Sequence, residues 1–266
     1  MALNGERHVL VVAGSDSSGG AGIARDIETI AGRGVKTCLA VTAITVQTHH
    51  AVRQVVPADA MLVEAQMRSA LEANDVAAVK IGMLGTEEII AAVASVLDHH
   101  EHIPVVLDPV LAASSGGRLL GEDAVGILKT KLLRHCAVLT PNLGELGTLT
   151  GKRPARDETE ALDQAQALLS LIRQGGAILV KGGHGHGPWS TDILVRDGRP
   201  PERFEAKRLA VEMRGTGCML ASGIAAYLAK GETLSDSVAK AKALLHDKLS
   251  AQAERNGPSV TLIPQA

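Results

Sequence analysis

Short apolar runs, each ending in glycine or a polar residue, alternate along this chain with amphipathic stretches of helical length. "HVLVVAG" (8–14) reads as a buried strand closed by glycine, and "VAAVKIGMLG", "IPVVLDPV", "CAVLTPN" and "GAILVKGGH" repeat the theme. Strands separated by helical stretches of about 10–16 residues build βαβ units and a parallel sheet. Near-continuous apolarity along the strands means that both faces of that sheet are covered. The expectation is one α/β domain over residues 1–266, with a central, mostly parallel sheet flanked by helices on both faces.

Residues 21–34 read as a helix with Ile23, Ile27 and Ile30 on one face, followed by a strand, "KTCLAVTAITVQT", and a helix through "ADAMLVEAQMRSALEAN". "TDILVRDGRPPERFEAKRL" breaks the rhythm, and its Asp197-Gly198 turn predicts a β-hairpin at the sheet edge. Two helices, 217–230 and about 234–254, precede a loose tail.

Composition narrows the function classes. Hydrophobic residues make up 45% of the 266, but aromatics only 1%: Trp189, Phe204 and Tyr227. The core is therefore aliphatic, and the aromatic platforms of single-stranded nucleic-acid binding are missing. A formal charge of −2 gives no general attraction to nucleic acid or to a membrane surface. No apolar run approaches the roughly 18–20 residues of a membrane span, and "MALNGERHVLVVAG" lacks a signal-peptide pattern. Cys38, Cys136 and Cys218 form no CxxC pair, so reduced thiols in a cytoplasmic protein are expected.

Open parallel sheets bind ligands beyond the carboxyl ends of their strands, and there this sequence is most unusual. In "RGTGCMLASGIAAYLAK" (214–230), Gly215 and Gly217 bracket Thr216 before a helix whose first turn includes Cys218. Free amides at such a helix start make an anion site, and a thiol there is expected to have a lowered pKa. The alternative is a small buried Cys beside a tight turn. "AGSDSSGGAG" (13–22) is a second glycine-rich loop, without the Gly-Lys-Ser/Thr of a P-loop. It is either a flexible turn or a close approach to a small ligand. Asp26, one turn into the next helix, either points back at that ligand or pairs with the helix start.

Asp108 closes the strand "VLDPV", and Asn142 and Glu145 follow another in "TPNLGEL". Carboxylates so placed suit Mg²⁺. Asn142 and Glu145 also have the spacing of a capping box, and the two roles are compatible. Lys181 in "VKGGH" suits a nucleotide phosphate or a tight turn. The histidines of "HGH" (184–186), "HH" (49–50) and "HHEH" (99–102) lack the HExxH pattern and Cys partners, so no structural metal is expected there.

Taken in order, "VAGSDSSGGAGIARDIETI", "VTAITVQT", "KIGMLG", "VVLDPV", "LTPNLGEL", "VKGGH" and "GTGC" resemble the hydroxymethylpyrimidine and phosphomethylpyrimidine kinases of thiamine biosynthesis, in the ribokinase-like superfamily. The resemblance spans nearly the whole chain. It implies ATP- and Mg²⁺-dependent phosphorylation of a small pyrimidine to its monophosphate and then its pyrophosphate, by a homodimer. Gly14, Ala21, Asp26, Thr45, Gln47, Met83 and Val110 then match pyrimidine-pocket positions, with Asp26 and Gln47 as polar readers. Asp108 and Glu145 match the Mg²⁺–phosphate region, and Lys181 and Asn142 the nucleotide side. Gly215, Thr216 and Gly217 match the anion hole, and Cys218 the base.

Sugar kinases of the superfamily carry Asp where Cys218 stands. Met213 and Arg214 depart from the family's Thr-His pair; Arg214, placed with the nucleotide-binding residues, either replaces that histidine as a phosphate contact or reshapes the nucleotide side. Ser114 stands where many members have lysine, and the ending "NGPSVTLIPQA" lacks a His- and Gly-rich terminus. "QTHHAVRQVV" (47–56) is a candidate cover for the pocket. The alternatives are a pyridoxal kinase on the same scaffold and a ligand-binding regulator that has lost turnover.

Overall fold

A computed structural model of the chain describes residues 6–111, 120–183 and 187–256. Ser114, the 184–186 histidine cluster and the segment after 256 lie outside the described residues. Nine strands form one sheet: β1 (Arg7–Asp16), β2 (Lys36–Gln47), β3 (Val52–Pro57), β4 (Asp75–Ile81), β5 (Val105–Leu107), β6 (Cys136–Leu139), β7 (Ala177–Val180), β8 (Trp189–Arg196) and β9 (Glu202–Lys207). Their order is β3-β2-β1-β4-β5-β6-β7-β8-β9. The six strands from β2 to β7 run parallel, and β3, β8 and β9 add antiparallel edges. β8 and β9 are the expected edge hairpin.

Among the described residues eight α-helices pack on this sheet: α1 (Gly22–Ala31), α2 (Ala60–Ala73), α3 (Glu87–Leu97), α4 (Glu122–Ile127), α5 (Leu143–Thr150), α6 (Glu158–Leu169), α7 (Thr216–Ala229) and α8 (Leu234–Asn256). Two apolar cores lie on opposite faces. Ile30 of α1, Leu220 and Ile224 of α7 and Val238 of α8 fill one, and side chains of α2 to α6 fill the other. Val9, Leu10, Val11 and Val12 of β1 are all fully buried, as a strand covered on both faces requires. Small residues replace rings where helices cross: a Cβ on Gly223 of α7 would lie 3.0 Å from Ala241 Cβ of α8. Among the described residues no helix is long and apolar enough to cross a membrane.

One local reading needs correction. Ile27 is exposed, and α1 instead buries Asp26, Thr29 and Ile30. The helix is turned so that Asp26 meets two polar partners inside, described below. β3 carries no alternating pattern, because residues of both its faces are exposed or half-buried; its place comes from pairing with β2. The 47–56 segment is thus the end of β2, a turn closed by the Thr48 N–H to Ala51 carbonyl bond, and β3.

Candidate active site

β1 leads to β2 on one side of the sheet, and β4 continues on the other. Such a reversal opens a crevice at the strand ends. A cavity of about 700 Å³ lies there, within the usual size of small-molecule sites. Its wall includes Gly14, Ala21, Thr45, Gln47, Met83, Val110, Asp108, Asn142, Glu145, Lys181, Arg214, Gly215, Thr216, Gly217 and Cys218. Of the site residues expected from sequence, Asp26 alone lies off that wall, and it is completely buried.

The glycine loop after β1 is shaped by backbone geometry. Gly22 has φ of 57°, and a Cβ there would run into the Gly14 carbonyl. Gly19 has φ of 73° with open space around its Cβ position. Gly22→Ala is therefore expected to cost about 1–3 kcal/mol more than Gly19→Ala in chemical denaturation, since only Gly22 adds a steric clash to the strain.

At one end of the cavity the walls are small and apolar with a few polar groups. A Cβ on Gly14 would lie 3.3 Å from Met83 Sδ, so the glycine lets that sulfur come close. Thr45 Oγ1 donates to the Ser15 carbonyl at 2.8 Å, and Ser17 Oγ to the Gln47 carbonyl at 2.9 Å, tying β2 to the loop. Arg214 sits here too. Its guanidinium donates to Ser18 Oγ and the Thr48 carbonyl, both at 2.9 Å, and lies 3.3 Å from Asp16 Oδ2. It clamps the glycine loop to the β2–β3 turn because Asp16, at the end of β1, offers a buried carboxylate.

The middle of the cavity is charged. Lys181 Nζ donates to Asp108 Oδ1 at 2.6 Å and lies 3.7 Å from Glu145 Oε2. Asn142 and Glu145 form the expected capping box of α5: the Asn142 N–H donates to Glu145 Oε2 at 2.8 Å, and the Glu145 N–H to Asn142 Oδ1 at 2.9 Å. Burial pushes the Glu145 carboxyl up to about 7, against the pull of Lys181.

Gly215 takes φ of 72° and caps α7 without a side chain, so the first helical bond runs from the Met219 N–H to the Gly215 carbonyl. The amides of Thr216, Gly217 and Cys218 thus precede the helical ladder, as anion binding requires. A Cβ on Gly217 would lie 3.2 Å from both Asp108 Oδ2 and Lys181 Nζ. The turn rests directly on the charged pair.

Cys218 is free and half-buried. The expected lowering of its pKa is not found: burial pushes the thiol up to about 11, more than Lys80 pulls it down, with Asp26 and Asp108 adding to the rise. Desolvation of the sulfur is the largest influence, ahead of the neighbouring charges and a backbone hydrogen bond from Gly22.

The structure adds groups that local sequence patterns did not mark. Lys80, completely buried, reaches the cavity from β4. At the far end, Lys242 of α8 donates to Asp192 Oδ2 at 2.8 Å and Ser190 Oγ at 3.1 Å, while Asp192 Oδ1 accepts from the Gly182 N–H. Among the described residues no group of three His, Cys, Asp or Glu side chains could hold a metal ion. Asp108 and Glu145 are a two-carboxylate set, which suits a Mg²⁺ that keeps most of its shell as water and phosphate oxygen.

Comparison with known proteins agrees with this arrangement. The model of the family "Phosphomethylpyrimidine kinase" matches residues 16–261. A hydroxymethylpyrimidine/phosphomethylpyrimidine kinase of Rhizobium meliloti is 45% identical, covering 91% of this chain and 90% of its own. A phosphomethylpyrimidine kinase structure from Clostridium difficile superposes with a TM-score of 0.77 at 29% identity, covering 93% of this chain and 99% of its own. A pyridoxal kinase of Staphylococcus aureus, in complex with AMP-PCP and pyridoxal, gives 0.83 at 28% identity, covering 92% and 88%. A ribokinase-like fold, a cavity lined by the motif residues and a match over most of its length together assign this chain to the phosphomethylpyrimidine kinase family.

Proposed function

We propose that the protein phosphorylates 4-amino-5-hydroxymethyl-2-methylpyrimidine with Mg-ATP, first to the monophosphate and then to the pyrophosphate. The observation that carries this reading is the turn at Gly215–Cys218, whose free amides and thiol line the same cavity as Asp108 and Lys181. Phosphoryl transfer needs positioning and charge stabilisation more than covalent help. The α7 amides and Lys181 receive the negative oxygens of the transferring group. Gly14, Thr45, Gln47, Met83 and Val110, which line the cavity, take the pyrimidine.

In the first step the substrate oxygen bonds to the γ-phosphorus, the bond to the β–γ bridging oxygen breaks, and ADP leaves. The hydroxyl proton passes to the Cys218 sulfur in its thiolate form, the minor form at neutral pH because burial holds the thiol up to about 11. In the second step a phosphate oxygen, already ionised, attacks, and no proton has to be removed. Asp108 and Glu145, with Asn142 beside them, would hold Mg²⁺, which would supply charge neutralisation on the ATP phosphates. Since Glu145 titrates near 7, its carboxylate becomes available to the ion as pH rises. Half-saturating Mg²⁺ is thus expected to fall by up to about tenfold per unit below that pH. Glu145→Gln, which preserves a capping acceptor, flattens this dependence; a wild-type Mg²⁺ titration level across neutral pH contradicts it.

Pyridoxal is the competing substrate, because similarity to a pyridoxal kinase structure is also high. The 45% identity to a pyrimidine kinase favours the pyrimidine. ADP release on adding pyrimidine, and its absence with pyridoxal, tests the choice. The reading extends to a homodimer: Ile44, Val46 and Val56 on the β2–β3 ribbon are exposed apolar side chains that a second copy can cover. Light scattering of the purified chain checks that. Three free thiols fit a reducing, cytoplasmic compartment.

A further inference from the structure

Lys80 heads the large side chains that are completely buried, and it is a charged one. Its Nζ donates to Asp26 Oδ2 at 2.8 Å, and Asp26 Oδ1 accepts from Ser222 Oγ at 2.7 Å. All three residues have no exposed surface. Ser222 lies four residues after Cys218 on α7, so the hydroxyl and the thiol share one side of that helix. The chain of contacts therefore joins β4, α1 and α7 immediately behind the anion-binding turn.

Burial pushes the Asp26 carboxyl up, against the Lys80 ammonium and the Ser222 hydroxyl. Burial also works against the Lys80 charge, but Asp26, Cys218 and Asp108 more than offset it and keep the ammonium protonated. An ammonium carries three donors. Among the described residues, Lys80 spends one, on Asp26. A Cβ on Gly82 would lie 2.9 Å from Nζ, so the ammonium is bent toward the carboxyl end of β4, where the cavity opens.

A buried ion pair is a poor device for stability alone, since apolar residues of similar volume hold a fold as well or better. Asp26 is moreover completely buried and off the cavity wall, with its carboxylate oxygens engaged by Lys80 and Ser222. We infer that Lys80, held by Asp26, which Ser222 holds in turn, is a positioning residue for phosphoryl transfer: it ties down the second turn of α7, just past the anion hole, and lays a positive charge beneath that hole. The pair acts on the rate of the chemical step and leaves pyrimidine affinity alone. This inference rests on the kinase reading above.

The test is the double variant Lys80→Met/Asp26→Leu, which removes both charges and keeps the volume. Circular dichroism and thermal melting establish its fold, calorimetry its pyrimidine affinity without nucleotide, and ADP release its kcat and KM. The expected result is a folded protein with pyrimidine affinity within about threefold of wild type and kcat lower by about a hundredfold, the scale of lost anion-hole stabilisation. A folded double variant with near wild-type kcat overturns the inference, because the pair is then a strut. Lost pyrimidine affinity with kcat preserved overturns it too, and returns Asp26 to the substrate. If the double variant does not fold, Ser222→Ala decides: a fall in kcat of about tenfold at unchanged pyrimidine affinity supports the inference, and an unchanged kcat refutes it. Wild type inert toward the pyrimidine overturns the kinase reading and this inference with it, a failure distinct from an active wild type whose variants lose nothing.

Discussion

Cys218→Ala is expected to slow phosphorylation of the hydroxymethyl group by about 10²–10⁴-fold, the usual contribution of a positioned base, and to leave phosphorylation of the monophosphate nearly unchanged. The asymmetry follows from the acceptors: an alcohol must lose a proton as it attacks, whereas a phosphate oxygen already carries charge. Because burial holds the thiol up near 11, little thiolate exists at neutral pH. The sign of the pH effect is then fixed. The first step speeds up as pH rises toward that value, by up to about tenfold per unit, and the second does not. Separate assays started from the alcohol and from the monophosphate measure both. Equal losses in the two steps of the alanine variant mean that Cys218 positions rather than accepts a proton.

Asp108→Asn carries the other large effect. The carboxylate holds Lys181 at 2.6 Å and lies against the α7 turn, so its replacement removes a proposed Mg²⁺ ligand and frees a buried ammonium at once. A loss of kcat of about a thousandfold is expected in both steps, with the pyrimidine affinity little altered, since Asp108 serves the phosphates. Extra Mg²⁺ recovers only part of it, because the freed Lys181 repels the ion. Full recovery at high Mg²⁺ means that Asp108 only concentrates metal; a selective loss of pyrimidine binding moves it to the other end of the cavity.

Much of this site was readable in advance because its signals are local. A glycine pair before an amphipathic run marks the α7 turn, and Asn142 with Glu145 three residues later marks a capping box. The strands that carry Asp108 and Lys181 announce themselves by apolar runs that stop at a polar residue. What escaped depends on distant partners. Lys80 and Asp26 are 54 residues apart, and Ser222 is 196 from Asp26, so no window shows that α1 turns Asp26 inward and Ile27 out. Arg214 reads as a phosphate ligand beside an anion loop, and only the fold shows that Asp16, at the other end of the sequence, lies 3.3 Å from its guanidinium. The thiol of Cys218 follows the same logic. A helix start lowers a pKa, but only the tertiary packing sets how much water is lost around the sulfur.

The most direct test of the account is a count of ADP released per pyrimidine consumed. The chain is mixed with excess Mg-ATP and a limiting amount of 4-amino-5-hydroxymethyl-2-methylpyrimidine, and the reaction runs to completion. The account predicts two ADP for each pyrimidine, with the pyrophosphate as the end product. One ADP contradicts the second transfer, and none contradicts the assignment of this cavity to pyrimidine phosphorylation.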